Sequence, residues 1–530
     1  MLGRSIYADG LDLGSGQHAS VVEPDTFAVG DTVVSVFQVG RRSNGGADAI
    51  GWATSRDGGR TWRSGLLPAL TPGGGGGDAR FTHASDPVIG YDPVHGVWLA
   101  SVLALTPGPS EDSDPVSALT VSRSLDGLNW EPPVVVSPPS GTFAHDKNWI
   151  VCDSSLASPF AGRCYTVWTA SHEEERLAVS WSVDGGATWS PPVLADVSPV
   201  VGVQPVTRPD GALVVPYLRE GRIESVRSTD GGATWEAPVV VAQTLFSPVA
   251  RLRAAPLPSV EVGADGRVWL AWPDCSFQEN CRPGVTTNDI ALVSSADGRV
   301  WSAPRRVPLG SARAGLDFVT PGLAVDGRTA GARTRLAVVA YVLGPECANV
   351  QCPITARAVA SADAGATWGP PRTLAPTTRL ADAPLAGSTR MVGDYLSASW
   401  VEGRVVVPVV TAPVARYDGR YHVEALAARI TAPPFVAVAV TPPRPAAGMR
   451  VRVTLTVAPA PPRGVAVRCA ARLGAVPFAP STKRRSGGLA TCTWLLPRRS
   501  GGRVVRGTIA VSGVRRAFSV RVGAAATVRR

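Results

Sequence analysis

No run of about eighteen apolar residues occurs in this chain of 530 residues, so no segment is long enough to cross a membrane as a helix. No CxxC spacing occurs either, and the six His are scattered away from the eight Cys, which argues against a structural zinc site. The opening Met1-Leu2-Gly3-Arg4-Ser5 has no apolar stretch of the secretory kind, and a removed or mis-assigned leader is the expectation. Long helical patterns are scarce. With Gly 56 and Pro 47, that scarcity points to an all-β protein rich in turns. The most lopsided absence is of acid: Pro434 to Arg530 holds 18 Lys plus Arg and no Asp or Glu. The residues before it carry 34 basic against 42 acidic groups, so a net charge of +10 divides into about −8 and +18.

What is present in quantity is one repeated turn. Ser182-Val183-Asp184-Gly185-Gly186-Ala187-Thr188-Trp189 recurs in near-copies centred on Asp57, Asp126, Asp230, Asp297 and Asp363, ending in Trp62, Trp130, Trp235, Trp301 and Trp368. The Asp can bond backbone NH groups two residues on, the Gly takes the positive φ of a tight turn, and the Trp is expected as a buried anchor. Alternating apolar residues lead into each copy. Seven strand groups follow one another, opening near Val22-Glu23-Pro24, Ser85-Asp86-Pro87, His145-Asp146-Lys147, Val203-Gln204-Pro205, Leu257-Pro258-Ser259, Thr320-Pro321-Gly322 and Gly393-Asp394-Tyr395. Residues before Val21 could supply an outermost strand to the seventh group and close a ring, removing open sheet edges.

The eight cysteines fall as four short-range pairs, Cys152 with Cys164, Cys275 with Cys281, Cys347 with Cys352, and Cys469 with Cys492. Read as four disulfides, they imply an oxidising compartment, hence an extracellular or cell-surface protein. After Ala432 the turn motif ceases and short alternating strands take over. A Cys pair with Trp494 beside it suits a small immunoglobulin-like sandwich.

The repeated turn resembles the Asp-box of the sialidases and related β-propellers, over roughly the first four fifths of the chain. The resemblance implies a propeller over residues 1–432, of seven blades by the strand groups or six by the sialidase pattern, and a basic accessory sandwich over 433–530. Gln204-Pro205-Val206 with Arg219 downstream resembles the family's fourth-group segment, with Gln204 where a Glu base belongs and Arg219 as the second of three arginines that clamp a substrate carboxylate. Tyr395-Leu396-Ser397 resembles the nucleophile segment. Val22-Glu23-Pro24 stands where an Arg-Ile-Pro would be, no third arginine is found, and Asp48 is a loose match for the family's acid.

Superposing the seven groups puts Glu23, Asp86, Asp146, Gln204, Leu257, Thr320 and Asp394 at one equivalent position, where the start of an inner strand lines the funnel of a propeller. Four carboxyl groups in one concavity suit glycoside cleavage by an acid and a base or nucleophile; the alternative is that each caps a loop or pairs with a neighbour such as Lys147. The expected catalytic groups are therefore Asp86, Asp146, Glu23 and Tyr395, with Arg219, Gln204, Lys147, Asp394 and Arg42 orienting substrate. No cofactor is expected, a structural cation such as calcium being the one metal role open to the carboxylates. Two functions stay open, a secreted glycoside hydrolase and a non-catalytic lectin or adhesin of the envelope, with a purely structural envelope protein third. The expected partners are a glycan in the funnel and an anionic envelope polymer or acidic glycan on the basic domain, with no nucleic acid.

Overall fold

In the computed structural model of the chain, the described residues are 17, 20–75, 79–106, 116–139, 145–311, 314–345, 347, 349–412, 421, 423–431, 435–458 and 464–524. They are all-β: no α-helix is present among them, only four single-turn 3-10 helices, and no helix is long and apolar enough to cross a membrane. They divide into two compact units. The first runs to Ala360 and resumes from Trp368 to Ala432; the second takes Ser361–Thr367 and everything after Ala432.

In the first unit, seven inner strands each open a run of consecutive antiparallel strands. They are Val21–Val29, His83–Asp92, His145–Cys152, Val206–Thr207, Ser259–Val262, Asp317–Val325 and Ser399–Val401. Each packs beside the next, and the seventh packs beside the first. That cyclic order is the order of a β-propeller, in which no inner strand is left as a free edge. Side chains stitch the ring from within. Asp25 accepts from the Ile89 NH at 2.7 Å, Ser259 Oγ accepts from the Leu323 NH at 3.0 Å, and Ser397 Oγ accepts from the Thr26 NH at 2.7 Å. The first inner strand is also held where the ring closes by Gln17, whose amide brackets the backbone of Leu385 at 2.7 and 2.8 Å. The outermost strand expected from residues before Val21 falls on residues 1–16, outside the described residues. The seventh sheet has three strands among those described.

The repeated turns form as their chemistry dictates. Asp184 accepts from the Thr188 NH at 2.9 Å and the Thr188 hydroxyl at 2.6 Å, while Ser182 Oγ donates to it at 2.8 Å and accepts from the Gly186 NH. Against the opposing pull of desolvation, these bonds hold the Asp184 carboxyl down at about 2. A glycine of the turn faces the preceding sheet: a Cβ on Gly186, the second of its turn, would meet Leu99, one on Gly59, likewise the second, would meet Val406 of the seventh sheet, and one on Gly127, the single glycine of a shorter turn, would meet Val34. The turn of the first sheet thus packs on the last.

The tryptophans of these turns are half-buried rather than buried, a correction to the expectation; the fully enclosed rings are Trp168, Trp269, Trp272 and Trp494. The turn leaves one face of its Trp at the rim. Trp168→Ala should therefore cost about 3 to 5 kcal/mol in denaturant unfolding and Trp189→Ala only about 1 to 3, with less area withdrawn from water. Equal losses would contradict the difference in packing.

Bulges mark where inner strands begin. The register shifts between Val22 and Asp25, between Ser85 and Val88, and between Val319 and Gly322, and the third inner strand shifts opposite Val167/Thr169. At each a non-glycine residue takes positive φ: Glu23 at 52°, Asp86 at 48°, Lys147 at 51° and Thr320 at 50°. Proline follows three of the four, fitting a bulge because it has no NH to give to the ladder. The third member of this series is accordingly Lys147, and Asp146 lies one residue before it. This corrects the superposition read from sequence.

The second unit is a sandwich of two four-stranded sheets. One holds Phe435–Thr441, Arg450–Ala458, Leu489–Leu495 and Thr482–Ser486; the other holds Val476–Phe478, Arg468–Leu473, Val504–Val511 and Val514–Arg521. Strict alternation sends Val451, Val453, Leu455, Trp494, Ile509 and Phe518 into one core. Cys469–Cys492 joins the two sheets across it, and the other three disulfides are Cys152–Cys164, Cys275–Cys281 and Cys347–Cys352.

Candidate active site

The bulged starts of the first three inner strands deliver Glu23, Asp86 and Lys147 to one mouth of the ring. There they line a cavity of about 490 Å³ with Asp146, Asp394, Arg41 and Arg253. The loop between the second and third strands of the first sheet supplies Ser43 to Gly46 to the wall, and the segment ahead of the seventh inner strand supplies Ala386, Gly387 and Met391. Arg253 arrives from far along the chain. Residues 251 to 253 zip against Arg390, with the Arg253 NH donating to the Arg390 carbonyl and the Arg390 NH to the Arg251 carbonyl, so two loops present Arg253 and Asp394 together.

Lys147 is the hub. Its Nζ lies 2.5 Å from Asp394 Oδ2, 3.4 Å from Asp86 Oδ2 and 4.0 Å from Asp146 Oδ1. Arg253 holds the other side of Asp394 in a bidentate fork, 2.8 Å to Oδ1 and 2.7 Å to Oδ2. Beneath them Glu23 accepts from Gln38 Nε2 and, at 3.1 Å, from the Asp394 NH; Arg41 donates to Gln38 Oε1 at 3.1 Å. Exposure sorts these groups. Asp146 and Arg253 are 48% and 47% exposed, whereas Lys147, Asp86 and Asp394 are below 10% and Glu23 is fully enclosed.

The environment drives the acid groups apart. Burial, then the neighbouring charges of Asp86 and Asp394, push the Glu23 carboxyl up to about 8, so it carries its proton at neutral pH. Asp394 is also desolvated, but Lys147 and Arg253 outweigh that and hold it well below the usual carboxylate range. Desolvation, with Asp86 and Asp394 nearby, raises Asp146 despite Lys147. Lys147 is desolvated too, yet its carboxylate neighbours push it well above its ordinary value, so it stays an ammonium. Among the described residues no trio of His, Cys, Asp or Glu is arranged to hold a metal ion, and the Lys147 ammonium takes the place between Asp86 and Asp394 that a cation would need.

The raised Glu23 has a consequence for stability. The folded protein keeps this proton where the unfolded chain has lost it, so stability falls as pH rises from about 4.5 to about 8 and levels off above. Asp25 and Glu261, pushed up to about 6 and about 8 by burial, add to the same slope. In Glu23→Gln, with an amide that needs no proton, part of that slope should vanish, leaving the variant relatively more stable at pH 8 than at pH 5. A parallel pair of stability curves from denaturant melts would show that Glu23 ionises freely.

Other residues expected at the site lie elsewhere. Tyr395 donates its hydroxyl to the Pro87 carbonyl at 2.8 Å and stands edge-on to Trp149, its proton held high by burial and then by the surrounding carboxylates; it does not line the cavity. Gln204 is spent clamping the fifth inner strand, donating to the Val260 carbonyl at 3.2 Å and accepting from its NH at 3.1 Å. Arg219 ends an outer hairpin, 3.5 Å from Glu224. Arg42 turns back to Asp48 at 2.7 Å, leaving its neighbour Arg41 to face the cavity. Glu23 belongs to the cluster and is fully enclosed within it. The Arg41-Arg42-Ser43-Asn44-Gly45-Gly46 segment, read from sequence as able to project into the funnel, does line the cavity through Arg41 and Ser43 to Gly46, whereas Gln38 and Arg253 were not singled out from sequence. The one signal was their place in segments flanking the mouth, the hairpin of Arg41 and the loop ahead of Leu257-Pro258.

No family model and no curated protein matches the chain. Among solved structures, the chain is similar to an ulvan lyase, a polysaccharide lyase, at 11% identity over 78% of this chain and 95% of that one, with a TM-score of 0.45. It is similar also to an α-L-arabinanase of Penicillium chrysogenum complexed with arabinobiose, at 10% identity over 78% and 93%, with a TM-score of 0.41. A third is a putative glycoside hydrolase of Parabacteroides distasonis, at 11% identity over 78% and 87%, with a TM-score of 0.34.

Proposed function

We propose that the cavity is the active site of an extracellular glycoside hydrolase built on a seven-bladed propeller, with the sandwich as an immunoglobulin-like accessory domain. The observation that carries the reading is the convergence of four carboxyl groups from four separate segments on one open cavity, with environments that raise Glu23 and Asp146 and lower Asp394. Such a split is how a pair of like groups divides into acid and base. Asp146, half-exposed and raised, donates a proton to the leaving oxygen. Asp86, beside the Lys147 ammonium, is the base that activates water or the nucleophile at the anomeric carbon. The Asp86 and Asp146 oxygens nearest Lys147 both lie within 4.0 Å of its nitrogen, so they are at most about 8 Å apart, no farther than such pairs act across. Lys147, Asp394, Arg253 and Glu23 hold the pair in place, and Arg253 reaches sugar oxygens at the mouth.

Sialic acid cleavage is the less supported version. It would need Tyr395 as nucleophile, and that hydroxyl donates its hydrogen bond to the Pro87 carbonyl rather than to a carboxylate and does not line the cavity. The four disulfides support an oxidising compartment. A panel of chromogenic glycosides, one sialoside included, tests the proposal with wild-type protein and Asp146→Asn side by side. Turnover of any glycoside that the substitution abolishes supports it. Binding of glycans without turnover of any panel member or polysaccharide would replace the enzyme with the lectin.

A further inference from the structure

The sandwich carries a face that the cavity does not use. On the sheet of Arg468–Leu473, Val504–Val511 and Val514–Arg521, the outward residues fall in cross-strand rows: Arg468, Ala510 and Arg515; Ala470, Thr508 and Ala517; Arg472, Arg506 and Ser519; then Val504 and Arg521. Arg468, Arg472, Arg506, Arg515 and Arg521 are all exposed, with small side chains between them. Arg472 and Arg506 stand directly opposite one another, a like-charge pairing that disfavours the sheet. No acidic residue exists between Pro434 and Arg530 to relieve it, and none of these five arginines is within salt-bridge distance of a carboxylate among the described residues.

We infer that this arginine face binds an acidic polysaccharide, a chain whose repeated sulfate or carboxylate groups supply the missing counter-charge. Rows about 6.7 Å apart along a strand, with Arg468 and Arg472 about 13 Å apart, and strands about 4.8 Å apart spread the guanidinium groups over a surface that several anions of one extended chain can meet. Exposed aromatic rings, on which unpaired bases would stack, are missing from these rows. The disulfide joining the two sheets belongs to an oxidising compartment, where glycans rather than nucleic acids are the abundant polyanions.

The test uses the full chain and heparin as probe. Affinity should fall about 100-fold between 50 and 200 mM salt, as the release of counterions from several neutralised charges requires. Arg472→Thr, Arg506→Thr and Arg521→Thr together should lower the log–log salt slope by about two to three. The same change at Arg450, Arg452 and Arg484, exposed on the other sheet, removes equal charge and should leave most of the affinity. Unchanged thermal melting of the first variant separates lost binding from lost folding. The inference fails if both variants weaken binding equally, if affinity ignores salt, or if duplex DNA outcompetes heparin at matched salt. Asp146→Asn should bind heparin as the wild type does, so this result and the fate of the cavity reading are independent.

Discussion

Asp146→Asn and Asp86→Asn should each lower kcat for glycoside hydrolysis by about 100- to 10,000-fold, with Tyr395→Phe within a few-fold of wild type. The ordering follows from access. Asp146 is the carboxyl most open to the cavity, and an amide in its place can neither give nor take the proton of a leaving oxygen. Asp86 is nearly enclosed, but it lines the cavity with its Oδ2 3.4 Å from the Lys147 ammonium, the position from which a carboxylate would meet water or an anomeric carbon. Tyr395 is bonded to Pro87 and stands against Trp149, and losing its hydroxyl removes one buried hydrogen bond without touching the cavity. The pH profile gives a second test of the acid: Asp146→Asn should remove the alkaline limb, which reports the group that donates the proton. Loss of turnover in Tyr395→Phe with both aspartate variants active would overturn this site and restore the tyrosine mechanism.

Local chemistry was legible in the sequence; its long-range placement was not. The turns at Asp57, Asp184 and the others form from residues within four positions of each other, so spacing alone predicts their hydrogen bonds. The bulges at Glu23, Asp86 and Thr320 were marked by the proline after each. Asn148 takes that place in the third strand, and without the proline the superposition slipped by one, putting Asp146 where Lys147 belongs. Three misplaced residues have a common cause. Gln204, Arg42 and Tyr395 are each consumed by a neighbour: Val260 and Pro87 come from distant segments that only the fold brings near, and Asp48 stands across the hairpin from Arg42. Arg253 went unseen for the converse reason, since its partner Asp394 is 141 positions away and the two meet only because residues 251 to 253 pair with Arg390.

Lys147→Met should cost about 3 to 5 kcal/mol of stability at pH 7, the range for removing one partner of a buried ion pair. The ammonium is the one group that touches both Asp86 and Asp394, and all three side chains are below 10% exposed. Without it Asp394 keeps Arg253, but Asp86 is left enclosed beside Asp394 and over Glu23, with no cation in contact. The cost should shrink in acid. In the wild type the depressed Asp394 contributes stability that is present above its unfolded value and lost as pH falls through its folded one, while in the variant Asp394 has lost the ammonium that lowers it and protonates at higher pH. Adding Asp394→Asn should therefore recover part of the loss, a coupling that a double-mutant cycle reads directly. A cost below about 1 kcal/mol, with no coupling and no pH dependence, would mean that water screens these charges as it does on an open surface. The opposite displacement of Asp394 from Glu23 and Asp146 would then lose its physical cause, because it is the cation at Lys147, with Arg253, that keeps Asp394 charged while Glu23 holds its proton.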